Sequence, residues 1–188
     1  SAQIAHVLVA QGVKPGDRVA AQVEKSVPAL VLYLATVRAG AVYLPLNTAY
    51  TLAELDYFIG DAEPSLIVCD PSSEKGILEL AAKVGAKVLT IDPVGQGSLV
   101  SAAAQQSREF STIDRRGDDL AAILYTSGTT GRSKGAMLTH DNLHSNAATL
   151  VEYWRFTSND VLIHALPIYH THGLFVASNV TFLSGASM

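Results

Sequence analysis

Cysteine is almost missing from this sequence. Cys69 is the single cysteine among 188 residues, so the chain cannot form an internal disulfide. It lies in the apolar run Leu66 to Cys69, where a small buried thiol is the ordinary expectation. Because folding here does not depend on disulfides, we expect a reducing, cytoplasmic setting.

A long uninterrupted apolar stretch is also missing. The most apolar run, Val27 to Val37, is ended by Arg38 and is shorter than the roughly 20 residues that a membrane-spanning helix requires. We therefore expect no transmembrane helix and no signal peptide.

Charge is sparse and mixed in sign. Charged residues make up 16% of the chain, the formal net charge is −4, and the lysines and arginines are scattered. No basic face for nucleic acid is therefore expected. Hydrophobic residues make up 48% of the chain, enough to bury one sizeable core in one domain or slightly more. These bounds favour a small-molecule partner and leave the oligomeric state open.

Residues 17–91 alternate short β-branched runs with longer helical patterns, which is typical of an α/β fold with a mostly parallel sheet flanked by helices. The predicted strands are Asp17–Val23, Ala41–Leu44, Ser65–Cys69 and Lys87–Ile91. The predicted helices are one capped by Ser26 and running to Arg38 or Ala39, one opened by the capping box Thr51–Glu54 and ending near Gly60, and one over about 75–84. Residues 92–119 predict a surface connection with a short helix near 99–106.

A string rich in Ser, Gly and Thr follows the predicted strand Leu120 to Thr126. It reads Ser127-Gly128-Thr129-Thr130-Gly131-Arg132-Ser133-Lys134-Gly135. Glycines let backbone amides turn inward, hydroxyls add donors and the lysine adds a mobile positive charge, which together suit a polyphosphate. The residues expected to bind the phosphates of ATP are Thr126, Ser127, Gly128, Thr129, Thr130, Gly131 and Lys134.

Two other interpretations of this string are weaker. A plain surface turn does not need so many consecutive turn-forming residues. A Walker A loop has Gly directly before its Lys and Ser or Thr directly after it, whereas this chain has Ser133 and Gly135. The residues that follow, Ala136 to Thr139, also predict an extended segment rather than the helix that a Walker loop opens.

The run Tyr125-Thr-Ser-Gly-Thr-Thr-Gly-x-x-Lys134-Gly resembles the signature loop of the adenylate-forming superfamily, which includes acyl-CoA synthetases, peptide-synthetase adenylation domains and firefly-type luciferases. The family usually has Pro where this chain has Ser133, a change that costs the loop some rigidity. Further resemblances lie at 16–19, 34–45 and 62–64. Within the superfamily, the sequences of 23–26, 43–47 and 166–173 are most similar to those of bacterial malonyl-CoA synthetases.

The resemblance implies a domain organisation. Residues 1–188 would belong to the large N-terminal AMP-binding domain, with 1–110 in its first α/β subdomain and 111–188 in the phosphate-loop and acyl-pocket portion. The small C-terminal domain would follow later in the chain, together with the adenine site, a Mg²⁺-binding Glu and a catalytic Lys. We therefore expect little or no turnover from these 188 residues alone.

The resemblance also implies a reaction. A carboxylate, ATP and CoA would give acyl-CoA, AMP and pyrophosphate through an acyl-AMP, with malonate as the expected acid. Lys134 and Thr130 would be catalytic by neutralising charge on the departing pyrophosphate, and Mg²⁺ would bind through the ATP phosphates, with Thr130 as a candidate ligand. Two alternatives stay open: adenylation with another acid or with a carrier protein as acceptor, and a nucleotide-binding module without catalysis.

Six histidines raise the question of a metal site. His140 and His144 stand one helical turn apart, as in a zinc pair. However, Asp141 replaces the Glu of that motif and no third ligand is evident, while Thr139 with Asp141 predicts a helix start. Capping and solvent exposure are the better interpretation of this pair.

A second group consists of His164, His170 and His172. A His-x-His pair on an extended strand would place both rings on one face, and zinc is a weaker alternative there. Pro167-x-x-His170-x-x-Gly173 is similar to the family segment that lines the acyl pocket. The resemblance implies that His170 lies beside the reacting carboxylate and that His172 lines the acyl side of the pocket.

Overall fold

The computed structural model of the protein describes residues 1–126 and 133–188. The strands are β1 Arg18–Gln22, β2 Val42–Pro45, β3 Leu66–Cys69, β4 Lys87–Thr90, β5 Leu120–Thr126 and β6 Lys134–Thr139. The α-helices are α1 Ala2–Ala10, α2 Val27–Arg38, α3 Leu52–Ala62, α4 Glu74–Val84, α5 Ser98–Ala103, α6 His140–Trp154 and α7 Asn179–Ser184. A 3₁₀ turn covers Pro71–Ser73, and a π-helical segment covers His172–Ser178.

The strands form one sheet in the order β4-β3-β1-β2-β5-β6. Neighbouring strands from β4 through β5 run parallel, whereas β6 is antiparallel to β5. The helical connections between parallel strands confirm the predicted α/β fold with a mostly parallel sheet. Because β5 runs parallel to β2, Thr126 lies at the same edge of the sheet as the carboxyl end of β2.

Alternate residues of the central strands face two separate hydrophobic cores. Val19 and Tyr43 pack with α1, α2 and α5, whereas Ala20 and Leu44 pack with α3 and α4. Side chains along a strand point alternately to opposite faces, and both faces of this sheet are covered, which explains the continuous burial of β2 and β3. Cys69 is buried in the second core, and burial raises the pKa of its thiol to about 12.

Helix starts follow the predicted caps. Ser26 accepts a hydrogen bond from the Ala29 amide, and Thr51 and Glu54 form the full capping box of α3. The predicted end of α3 near Gly60 is two residues too early. The Glu63 amide still bonds the Ile59 carbonyl, and Glu63 takes the left-handed conformation that ends the helix.

The connection at 92–119 is more than the predicted surface segment. Its helix α5 buries Leu99 completely in the first core. The Ser98 hydroxyl accepts a hydrogen bond from the Thr90 amide at 2.9 Å, and the Ile113 amide donates to the Arg38 carbonyl at 2.9 Å. These contacts could not be predicted from composition, because the connection is mostly polar and only a few of its residues make them. Helix α1, which the pattern did not predict, packs beside α5 in the same core.

Candidate active site

The two ends of the predicted phosphate loop are held together by the β5–β6 pair. Thr126 lies opposite Lys134 in the antiparallel register, and the Thr126 hydroxyl donates to the Lys134 carbonyl at 3.4 Å. The Lys134 side chain is exposed at the sheet edge. An extended β6 directly after the loop confirms that a Walker-type helix does not follow it. Ser127, Gly128, Thr129, Thr130 and Gly131 lie outside the described residues.

Aromatic side chains contact the residues that flank the loop, and no pattern in the sequence indicated these contacts. The Tyr57 hydroxyl donates to the Ser133 carbonyl at 2.8 Å, and the Tyr125 hydroxyl donates to Asp61 at 2.5 Å. Phe58 packs against both tyrosine rings, with its ring centroid 4.5 Å from that of Tyr125 and 5.4 Å from that of Tyr57. Burial, followed by the contact with Asp61, raises the pKa of Tyr125, so this hydroxyl stays protonated as a donor. Helix α3 therefore fixes residues on both sides of the loop.

Replacing Tyr57 with Phe tests this support. The variant keeps the ring and loses the hydroxyl that holds Ser133, so we expect KM for ATP in the full-length enzyme to rise about threefold to tenfold, the usual cost of one hydrogen bond. The matched control is Tyr153→Phe, since Tyr153 is 82% exposed at the end of α6. An unchanged KM for ATP in Tyr57→Phe would show that the loop does not depend on this contact.

A cavity of about 300 Å³ joins the phosphate loop to the histidine segment. It is lined by Asn47, Tyr50, Leu124, Tyr125, Thr126, Tyr169, His170 and Thr171. Its volume matches the lower end of small-molecule sites, about 300 Å³. Thr126 and His170, two of the predicted site residues, thus face one space at the carboxyl edge of the sheet, where parallel α/β sheets bind ligands.

The polar groups around this cavity are themselves held in place. Gln22, buried at the end of β1, donates to the Asn47 carbonyl at 3.2 Å, and the Asn47 side chain accepts from the Ala49 amide at 2.9 Å. Burial is the main cause of a raised pKa at Tyr50, which keeps this phenol neutral. None of the described residues that line the cavity carries a fixed positive charge.

The histidine pair His170 and His172 does not lie on an extended strand. Residues 162–165 form no strand, 168–170 form a turn, and His172 begins the π-helical segment. Pro167 lacks the backbone N–H that a strand ladder requires, and Ile163 is 90% exposed, so this apolar run is not buried as a core strand would be. The two rings nevertheless stack, with centroids 6.0 Å apart and an interplanar angle of 22°.

The stacked rings face different cavities. His170 lines the polar cavity described above, whereas His172 lines a second cavity of about 240 Å³. The walls of this second cavity are apolar and include Trp154, Leu166 and Val180. The histidine turn therefore separates a polar space beside the phosphate loop from an apolar one.

The other predicted histidine pair shows no metal-site geometry. Thr139 and Asn142 form a capping box at the start of α6, with His140 as the first helical residue, as the cap prediction indicated. Burial, followed by the nearby Arg115, lowers the pKa of His140. Within residues 1–126 and 133–188, no three His, Cys, Asp or Glu side chains converge into a potential metal site.

None of the helices in the described part of the chain combines the length and the apolar character needed to cross a bilayer.

A mostly parallel six-stranded sheet flanked by helices, with Thr126 and Lys134 paired at one edge, matches the N-terminal domain of adenylate-forming enzymes. The family profile described as AMP-binding enzyme matches residues 1–188, and the chain belongs to that family.

Known proteins of this family are similar over most of the chain. The mitochondrial malonate–CoA ligase ACSF3 of Mus musculus is 38% identical over 168 residues, which cover 87% of this chain and 28% of the relative. An oxalate–CoA ligase of Arabidopsis thaliana is 33% identical and covers 94% of this chain and 35% of the relative. The crystal structure of ATP-bound MatB from Rhodopseudomonas palustris is 74% identical with a TM-score of 0.97, covering 100% of this chain and 37% of that one. The chain thus spans about a third or less of the curated relatives' length.

Proposed function

We propose that this chain is the N-terminal part of an ATP-dependent acyl-CoA synthetase that converts malonate to malonyl-CoA. The observation that carries the proposal is the cavity that places Thr126, at the start of the phosphate loop, and His170 on one space of about 300 Å³. A carboxylate and the α-phosphate of ATP must meet in such a space for adenylation. The ATP-bound state of the similar MatB structure supports ATP as the nucleotide.

The first proposed step joins the carboxylate to AMP. A carboxylate oxygen attacks the α-phosphorus, the bond to the bridging oxygen breaks, and pyrophosphate leaves with the electron pair. Lys134 and Thr130, with the hydroxyls and amides of 126–131, neutralise charge that builds on the pyrophosphate. His170, which lines the same cavity as Thr126, would lie beside the reacting carboxylate, and His172, which lines the separate apolar cavity, would lie on the acyl side. No covalent bond to the enzyme is needed.

The second proposed step uses coenzyme A. Its thiolate attacks the acyl carbonyl, the bond from that carbon to the AMP oxygen breaks, and the thioester and AMP are released. Loading of a carrier protein would follow the same chemistry with another thiol. The CoA ligases among the similar proteins favour coenzyme A as the acceptor.

Mg²⁺ fits this site as a partner of the nucleotide. It prefers oxygen ligands and is commonly shared with phosphates rather than held by protein groups alone. Thr126 and Thr130 are the candidate hydroxyls near it. Bound Mg²⁺ would supply positive charge to the phosphate oxygens.

Malonate is the proposed acid because the curated relatives include malonate–CoA ligases from an animal and a plant. Its second carboxylate calls for a cationic or hydrogen-bonding partner. A histidine imidazole can hydrogen-bond it, and a fixed cation would have to come from later in the chain. The proposed setting is the cytoplasm, and the proposed partners are small molecules, not nucleic acid.

Product analysis of the full-length enzyme tests the substrate. With malonate, methylmalonate, oxalate, acetate or a medium-chain acid, ATP and CoA, we expect malonyl-CoA, AMP and pyrophosphate to form in equal amounts, and the other acids to react more slowly. A preferred acid other than malonate would keep the reaction class and discard the substrate. ADP and phosphate as products would contradict adenylation.

A further inference from the structure

The His164 side chain contacts the π-helical segment, although no site role was predicted for it. Its Nε2 lies 2.9 Å from the Gly173 carbonyl oxygen and 3.1 Å from the Ser178 hydroxyl. The buried Ser178 hydroxyl donates to the same Gly173 carbonyl at 3.0 Å. His164 and Ser178 therefore meet on one carbonyl inside the π-helical segment, which contains His172.

The contact defines which ring nitrogen carries the proton. A carbonyl oxygen can only accept, so Nε2 of His164 must donate to Gly173. The second nitrogen, Nδ1, is buried without a hydrogen-bond partner among the described residues. The ring therefore holds the segment through the hydrogen bond from Nε2 to the Gly173 carbonyl.

Gly173 connects this contact to the turn before it. A Cβ on Gly173 would collide with the carbonyl oxygen of Pro167, so the start of the π-helical segment lies directly against Pro167. The Leu174 amide donates to the His170 carbonyl at 3.0 Å. The backbone of His170 therefore lies between two contacts, the packing of Gly173 against Pro167 and the hydrogen bond from Leu174.

Lys25 makes a second contact with the segment that precedes the same turn. Lys25, just after β1, donates from Nζ to the His164 carbonyl at 2.9 Å and to the Leu166 carbonyl at 3.2 Å. Its ammonium thus fixes the backbone of His164, while the imidazole of His164 fixes Gly173. A short chain of contacts runs from the sheet to the segment with the stacked rings.

We infer that His164 is a positioning residue that holds the His170–His172 turn in place by donating from Nε2 to Gly173. π-Helical segments are rare, and they occur frequently at functional sites, where a small displacement of an oriented group lowers the rate strongly. His164 reaches neither the polar nor the apolar cavity, so it acts through the turn. This inference rests on the proposed function of His170 and His172.

Three substitutions separate the donor from the ring. In His164→Gln the side-chain amide can reach about where Nε2 lies, whereas in His164→Asn it reaches only about as far as Nδ1, and His164→Ala removes both. We expect Ala and Asn to raise KM for the carboxylate about tenfold in the full-length enzyme, the effect of one lost hydrogen bond to a buried group. Gln should stay within about threefold of the wild type, and KM for ATP within about twofold in all three.

His6→Ala is the matched control. His6 also contacts a backbone carbonyl, that of Glu109 at 2.6 Å, packs edge-on against Phe110, and lines neither of the two cavities beside the turn. Its loss should leave both KM values unchanged. Equal KM for the carboxylate in His164→Ala and wild type, or equal impairment by Gln and Asn, would overturn the inference.

Hydrogen exchange measured by mass spectrometry tests the positioning without turnover. Amides of 168–178 should exchange faster in His164→Ala than in wild type and at nearly the wild-type rate in His164→Gln, while those of α1 stay unchanged. Equal exchange in all variants would contradict the inference even in an active enzyme. If the variants show the expected differences in exchange but the wild type forms no acyl-AMP, the proposed function is contradicted and the structural role of His164 is still supported.

Discussion

Replacing Lys134 with Ala is expected to lower the rate of acyl-AMP formation by about two to three orders of magnitude, as the loss of one charge-stabilising group does in other active sites. Lys134 is the first residue of β6, paired with Thr126 across the ends of the phosphate loop. The backbone pairing holds its Cα whatever the side chain, so the variant should fold. The rate should fall because the variant lacks the positive charge that would stabilise the departing pyrophosphate.

Lys75→Ala is the control for the Lys134 variant. Lys75 is an exposed lysine on α4, and its loss changes the net charge by the same amount. Single-turnover rates with saturating ATP and malonate distinguish the two variants, and Lys75→Ala should match the wild type. Equal rates in all three proteins would show that Lys134 does not act on the phosphates.

The second large effect is expected from Gly173→Ala. The added Cβ would collide with the Pro167 carbonyl oxygen, and backbone cannot move aside as a flexible side chain can. We expect the free energy of unfolding to fall by about 3 kcal/mol, the upper part of the range for overpacked sites. KM for the carboxylate should rise as well, since the collision displaces the turn that carries His170.

Gly60→Ala is the matched control for Gly173→Ala. Gly60 lies inside α3, and an added Cβ there meets no atom within 4 Å. Alanine in an open helical position stabilises by about 0.5 to 1 kcal/mol. Chemical denaturation of the full-length proteins should therefore move the two variants in opposite directions. A Gly173→Ala protein as stable and active as the wild type would refute the close contact.

Local patterns were sufficient to predict the sheet. Each of the strands β1–β4 is a short run with apolar and β-branched residues between turn signals, and the observed bounds lie within a residue or so of the predicted ones. The caps of α2 and α3 were equally predictable, because Ser26 and Thr51 bond amides only three residues away. Such signals depend on neighbours in sequence and need no knowledge of packing.

The support of the candidate site could not be predicted in this way. Tyr57 and Ser133 come from α3 and the end of the phosphate loop, and they meet only because α3 packs beneath β5. His164, Gly173 and Ser178 meet because the chain turns at Pro167 into a π-helical segment. The apolar run at 161–166 gave no sign of this turn, since composition carries no information on whether a partner strand is present.

Carboxylate-dependent exchange of labelled pyrophosphate into ATP, measured without CoA on the full-length enzyme, tests adenylation most directly. Exchange requires that acyl-AMP form and reverse, which nucleotide binding alone cannot do. We predict exchange that depends on malonate and falls by about two to three orders of magnitude in Lys134→Ala. Bound ATP without exchange for any acid would contradict the proposal and leave a nucleotide-binding module.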